Sequence, residues 1–383
     1  MNSSFSIHLK SASRLLLYFF IFLFPLVAFP FTPEPLELNK QTLLLLFSFA
    51  SAIALLAGWL VERRIHFRHG WLIASPVILL TAFIAPSITS VSHFLSWIGA
   101  YRQEYTSVLT VVGCAVLIFV LSQSFTTRRS HQILHSVFLF SSCLVALAAV
   151  LSFFGVPIFD KLGLAVAFNT VGTFTDFAVF LVVMNSFFIC SYISHRHRDS
   201  ILNDQTLGTI EHLLIFAFAL VTFFFLLVLD YWPLWMLFVV SLSVPFVFVF
   251  FRADDFPNQK RLFVPLFLIL IAVPFWIFAR GAFFQQTPLE IAPNFESSLG
   301  VAQKTLQGFS SHFGSGPGTY FIDHMLYRDS AINQTDFWDT RFDRANSYTL
   351  TTLSTLGVFG ATLFAFFIAL ILFGSLTQIL RSS

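Results

Sequence analysis

Read from the N-terminus, the chain alternates long apolar runs with short polar connections. Ten runs stand out, near residues 14–31, 41–61, 71–88, 106–122, 133–155, 176–193, 210–229, 232–251, 261–279 and 348–373. About 20 largely apolar residues are needed for a helix to cross a hydrocarbon core of about 30 Å, so the pattern predicts about ten transmembrane helices. The connection between the ninth and tenth runs is different in kind. It extends over about 68 residues, from Arg280 to Ser347, and turns polar. Within it, Phe295, Leu299, Ala302, Leu306 and Phe309 recur at helical spacing behind Asn294, a suitable N-cap, which predicts an amphipathic helix across the membrane surface or the mouth of the bundle. Residues 319–328 read as a second short helix. The implied organisation is a nine-helix bundle over 1–279, a large external loop over 280–347, and a last transmembrane helix with a short tail over 348–383.

Composition agrees with an all-α integral membrane protein: 57% of residues are hydrophobic, 10% are charged, and the mean hydropathy is +0.81. Soluble domains carry about 25% charged residues. Phenylalanine supplies 53 of 383 residues, an excess that suits lipid-facing helix surfaces. Lys10 and Arg14 precede the first run, but no small-x-small cleavage site follows it and more spans come after, so it reads as a retained helix. With the N-terminus in the cytoplasm, the inside segments hold Lys10, Arg14, Arg63, Arg64, Arg68, Arg128, Arg129, Arg196, Arg198, Arg252, Lys260, Arg261 and Arg381. The short outside loops hold only Lys40, Arg102 and Lys161. This asymmetry orients the chain, the long external loop being left out of the comparison. Cys114, Cys143 and Cys190 all fall within predicted spans, where cysteine behaves as a small hydrophobe. No disulfide framework, metal cluster or cofactor is expected, and nothing points to a nucleic-acid partner.

The external loop contains "SSHFGSGPGTYFIDH", residues 310–324, with Gly314, Gly316, Pro317 and Gly318 in close succession. Such a run either turns the chain or lets something approach its backbone. A phosphate-binding loop would require Gly-Lys-Ser/Thr and a preceding strand. Here Thr319 follows Gly318 directly and the preceding segment is helical, so nucleotide binding is excluded. A helix-ending turn is the simplest reading.

Taken together, "GSGPGTYF" and "RFDRANSYTLTTLSTLGVFG" (341–360) resemble the hallmark of the O-antigen ligase and polymerase family of polytopic membrane proteins. In that family a Gly-x-Gly-Pro-Gly-x-Phe run in a large periplasmic loop precedes a His-Asn pair at the start of the next helix, followed by Leu-x-x-Leu-x-x-x-Gly. "SWIGAYRQE" (96–104) and "FNTVGTFTDFAVFL" (168–181) are similar to two further recurrent stretches, so the resemblance spans roughly residues 36–373. It implies a GT-C-like fold in the cytoplasmic (inner) membrane. The implied activity moves a glycan from an undecaprenyl diphosphate carrier to a lipid, protein or glycan acceptor, without metal. The chain departs from the pattern at one place: Asn346 and Ser347 stand where the family has His-Asn, and an amide cannot take a proton at neutral pH.

That chemistry assigns roles residue by residue. Arg102, Arg280, Arg341 and Arg344 lie at or near outer helix ends, where guanidinium groups hold a leaving diphosphate or else snorkel or pair with neighbouring acids. Gly316 and Gly318 would let the donor approach the backbone. Asn346 would orient the acceptor hydroxyl, and Asp323, His324, Asp343 or His312 would replace the missing base. Asp343 can share a helix-start face with Asn346 or simply cap the last span. Two other readings stay open. A polysaccharide transporter or flippase would carry polar residues at mid-span in paired, broken helices, and a catalytically silent member would keep the fold and lack the base.

Overall fold

The computed structural model describes residues 2–29, 31–32, 35–65, 67, 71–101, 104–156, 168–194, 205–251, 259–278, 291–308 and 311–381. Among these residues every regular element is helical. Eight helices contain segments long and apolar enough to cross a membrane. These are α1 (Asn2–Leu23), α2 (Glu37–Glu62), α6 (Arg128–Phe153), α7 (Phe174–Ser194), α8 (Gln205–Leu229), α9 (Trp232–Phe251), α10 (Phe263–Phe278, extended by the 3-10 turn Gln259–Leu262) and α13 (Tyr348–Arg381). The runs near 71–88 and 106–122 form shorter apolar helices, α3 (Trp71–Ile88) and α5 (Val108–Ser124). The chain is thus a polytopic membrane protein with eight full-length candidate spans and two shorter apolar helices.

Helix α1 starts about a dozen residues before its apolar run because its polar side chains pack inward. Ser6 and Ser13 are fully buried. Ser6 Oγ donates to Glu62 Oε1 at 2.6 Å, Lys10 pairs with Glu62 at 2.6 Å, and Ser13 donates to the Ser51 carbonyl at 2.9 Å. Averaged hydropathy does not register polar groups that satisfy one another across two helices.

The chain forms two compact units. Unit 1 comprises residues 1–20, 31–126 and 291–378; unit 2 comprises 21–30, 127–290 and 379–383. The described part of the long polar connection before α13 therefore belongs to unit 1, through contacts between segments far apart in sequence. In unit 1, α2 and α3 both pack on α5, and Leu79, Ala82, Phe83, Val108 and Val111 share a core with Leu356 of α13. In unit 2, α6 to α10 enclose a core that includes Phe177, Phe188, Phe218, Phe225, Trp235 and Phe238. Phe177 meets Phe225 edge-on at 5.0 Å and Trp235 stacks on Phe275 at 4.8 Å. The phenylalanine excess thus builds an interior as well as exposed surfaces, since edge-to-face pairs add stabilisation beyond the area they bury.

The polar connection before α13 holds α11 (Phe295–Gly308) and α12 (Tyr320–Tyr327). Asn294 caps α11, its Oδ1 accepting the Ser297 N–H at 2.7 Å. The buried face of α11 is Ser298, Val301, Ala302 and Thr305, offset from the expected stripe, and Phe295 is 58% exposed. Small residues face inward because α12 and the start of α13 approach closely, Tyr320, Ala345 and Leu350 completing the cluster. Removing the cap with Asn294→Ala is expected to cost about 1 kcal/mol, read as a lower unfolding midpoint of the detergent-solubilised protein.

Candidate functional site: a junction at a broken helix

Helix α13 is interrupted at Gly357, whose backbone lies at φ 67° and ψ −173°. In a continuous helix the N–H groups of Val358 and Phe359 would bond to the carbonyls of Ser354 and Thr355. The glycine-rich run takes their place. Val358 N–H donates to the Ser311 carbonyl at 3.1 Å and Phe359 N–H to the His312 carbonyl at 3.0 Å, while the freed carbonyls of Ser354 and Thr355 accept the N–H groups of Ser315 at 3.2 Å and Gly316 at 2.8 Å. All four backbone groups orphaned by the break are satisfied by one loop, as burial requires. Two backbones can lie this close only without side chains: a Cβ on Gly357 would strike the His312 carbonyl, and one on Gly316 would strike the hydroxyl of Ser90.

A third segment completes the junction. Val91 N–H donates to the Ser315 carbonyl at 2.9 Å, and Ser96 Oγ donates to the Pro317 carbonyl at 2.9 Å. Ser96 belongs to the short helix α4 (His93–Trp97). Gln41 of α2 holds the chain beyond it, donating to the Ile98 carbonyl at 3.0 Å and Thr110 Oγ1 at 2.9 Å. Three of the four stretches singled out in the sequence, 96–104, 314–321 and 341–360, therefore meet in unit 1. The fourth lies in unit 2, where Asn169 Oδ1 accepts two backbone N–H groups, and Thr173 and Asp176 cap α7 reciprocally through their side chains.

Asp323 and His324 of α12 sit beneath the glycine run, both fully buried. Asp323 Oδ2 accepts hydrogen bonds from Ser315 Oγ and Ser354 Oγ, each at 2.7 Å, and so ties the loop to the last helix. Its Oδ1 has no partner. Burial pushes this carboxyl up to about 7, against the two serine hydrogen bonds that pull it down. The imidazole of His324 stands edge-on to Phe342 at 5.1 Å, with neither ring nitrogen hydrogen-bonded among the described residues. Burial, and then the charge of Arg328, lower its pKa, so the ring is neutral at neutral pH. Comparison with known protein families, curated proteins and solved structures finds no match. Among the described residues no group of three or more His, Cys, Asp or Glu side chains could hold a metal ion.

The other sequence candidates take varied positions. Arg344 and Asp343 are half-buried and Arg341 is exposed. Arg344, Asp343 and Glu37 all act electrostatically on Tyr105, whose hydroxyl is pushed up to about 12, chiefly by burial, and stays a donor. The cap of α13 is Ser347, not Asp343: Leu350 N–H donates to Ser347 Oγ at 3.3 Å, the bond that a side chain immediately before the helix accepts from the third helical residue. Asn346 is exposed but tethered, its backbone N–H donating to Ser298 Oγ at 2.9 Å and its side-chain amide to the Pro293 carbonyl at 3.1 Å. Gly316 and Gly318 are buried, and the N–H of Gly316 is committed to Thr355. Their role at the junction is close backbone packing. His312 is exposed. Arg102 and Arg280 lie outside the described residues.

Sequence reasoning missed the serine shell. Ser90, Ser96, Ser315 and Ser354 are scattered over more than 260 positions and all are buried. Three of them lie within stretches singled out in the sequence, but nothing in a local sequence shows which serines will be brought together. Tyr105, immediately after "SWIGAYRQE", had a better signal in that proximity.

Proposed function

We propose that this chain is a glycosyltransferase of the O-antigen ligase and polymerase type. It transfers a glycan from undecaprenyl diphosphate to a hydroxyl of a lipid, protein or glycan acceptor on the outer face of the cytoplasmic membrane. The reading includes a GT-C-like arrangement of ten spans with a cytoplasmic N-terminus, and it requires no cofactor. One observation carries it: a buried, neutral histidine with both ring nitrogens unmatched, His324, lies at the junction shared by three of the stretches on which the family resemblance rests. A neutral imidazole can take a proton where Asn346 cannot.

In this reading His324 removes the proton of the acceptor hydroxyl as its oxygen bonds to the anomeric carbon. The bond from that carbon to the diphosphate breaks, and undecaprenyl diphosphate leaves with the electron pair. Arg344 and Arg341, with Arg102 and Arg280, neutralise the charge that develops on the leaving group. Tyr105 adds a hydroxyl donor beside Arg344. The tether formed by Asn346 favours a second reading, a silent member of the family that binds the donor without turning it over, because its amide is engaged with Pro293.

Turnover in vesicles separates the two. His324→Gln is expected to lower the rate about 100-fold or more while donor affinity stays within about twofold, and Arg344→Ala to weaken donor binding. Because the imidazole pKa lies below its usual 6.5, the wild-type rate should rise with pH with its midpoint below that value. An unchanged rate in His324→Gln would remove the histidine from the mechanism, and donor binding without turnover in the wild type would favour the silent reading.

A further inference from the structure

Unit 1 has a cavity of about 430 Å³ at the ends of α2 and α5 remote from the junction. Its polar lining comes from Lys10, Arg14, Gln123, Ser124 and Thr126. Lys10 is matched by Glu62 at 2.6 Å. Among the described residues Arg14 makes only long contacts, 3.5 Å to the Lys10 carbonyl and 3.4 Å to Ser11 Oγ, and no acid there matches its charge. Ser124 is 8% exposed and its hydroxyl has no hydrogen-bond partner. A buried donor without a partner is costly. A partner that also offsets the Arg14 charge would be an anion with several acceptor oxygens.

The remaining wall is apolar: Leu55, Trp59 and Phe67, the two aromatic rings braced against Phe119 at 6.4 Å and 6.0 Å. A cation with hydroxyl and amide groups on one side and aromatic and aliphatic surface on the other fits an amphiphile. The volume lies within the range of small-molecule sites, and basic pockets between transmembrane helices recognise lipid head groups.

We propose that this cavity binds a phosphate ester of net negative charge, with Arg14, Ser124 and Thr126 holding the phosphate and the Leu55, Trp59 and Phe67 wall selecting the form that carries acyl chains. The proposal is independent of the transferase reading. It is tested with the full chain in a neutral detergent, titrated with short-chain phosphatidylglycerol, short-chain phosphatidylcholine and glycerol 3-phosphate. Phosphatidylglycerol should bind at least tenfold more tightly than phosphatidylcholine. Arg14→Gln should weaken it about tenfold and Ser124→Ala about threefold, with unfolding midpoints in the absence of lipid unchanged. Should Arg14→Gln not fold, Ser124→Ala and Thr126→Val carry the comparison. Binding of glycerol 3-phosphate, weakened by the same variants, would assign the same site to a soluble phosphate. Equal affinity for the two lipids, or phosphatidylglycerol binding indifferent to these substitutions, would overturn the proposal.

Discussion

Gly357→Ala is expected to destabilise the protein by about 4 kcal/mol, enough to remove most folded material from a detergent extract. Two effects add. The residue occupies a region of backbone space that is essentially reserved for glycine, at a cost of about 1–3 kcal/mol for any other residue. The new methyl would also meet the His312 carbonyl and the Gly314 nitrogen, forcing the loop away and breaking backbone hydrogen bonds worth about 0.5–1.5 kcal/mol each. The control is Gly300→Ala in α11, where a Cβ meets nothing within 4 Å. That substitution should be neutral or stabilising by up to about 1 kcal/mol. Thermal unfolding of both variants in one detergent makes the comparison, and equal midpoints would refute the splice between loop and helix.

The second large effect is a dependence of stability on pH to which Asp323 contributes most. Its folded pKa of about 7 stands above the ordinary 3.8, so the folded state holds a proton that the unfolded chain has already released. The contribution is therefore complete below the unfolded value, is lost as pH rises through the folded one, and is constant beyond it. A shift of this size corresponds to on the order of 4 kcal/mol across the window from about pH 4 to 7. His324 acts in the opposite sense, since its lowered pKa costs stability as pH falls below 6.5, so the wild-type profile alone mixes two groups. The difference between wild type and Asp323→Asn isolates the carboxyl. It should change in favour of the variant from pH 4 to 7 and then stay flat, measured by chemical unfolding at fixed salt. A difference that is constant across that range would show that Asp323 is ionised in the fold.

The helices that cross the apolar layer were legible because their signal is additive. Any run of about 20 apolar residues satisfies its own backbone and presents an apolar surface. The Asn294 cap of α11 was legible because the interaction is local, three residues from donor to acceptor. What escaped was every feature made by distant segments meeting. The break in α13 lies inside an unbroken apolar run, and only the combination of Gly357 with a loop starting some 45 residues earlier explains it. The glycine run was recognisable as a place where something approaches the backbone, but not that the approaching object is the chain's own last helix. The division into two units was hidden for the same reason, as was the inward-facing polar edge of α1, whose partner Glu62 lies more than 50 residues away. Of the candidate site, His324 and Arg344 are legible from residue type and position as candidates, whereas Tyr105 and the serine shell depend on packing.

The most direct measurement is acceptor-dependent release of undecaprenyl diphosphate by the wild-type protein in vesicles, with a lipid-linked oligosaccharide donor and lipid, protein and glycan acceptors supplied in turn. A transferase releases the carrier with at least one acceptor, and His324→Gln abolishes that release while still binding the donor. Failure of the wild type to bind the lipid-linked donor, or binding with no release across all three acceptor types, would contradict the assignment of transfer chemistry to this junction.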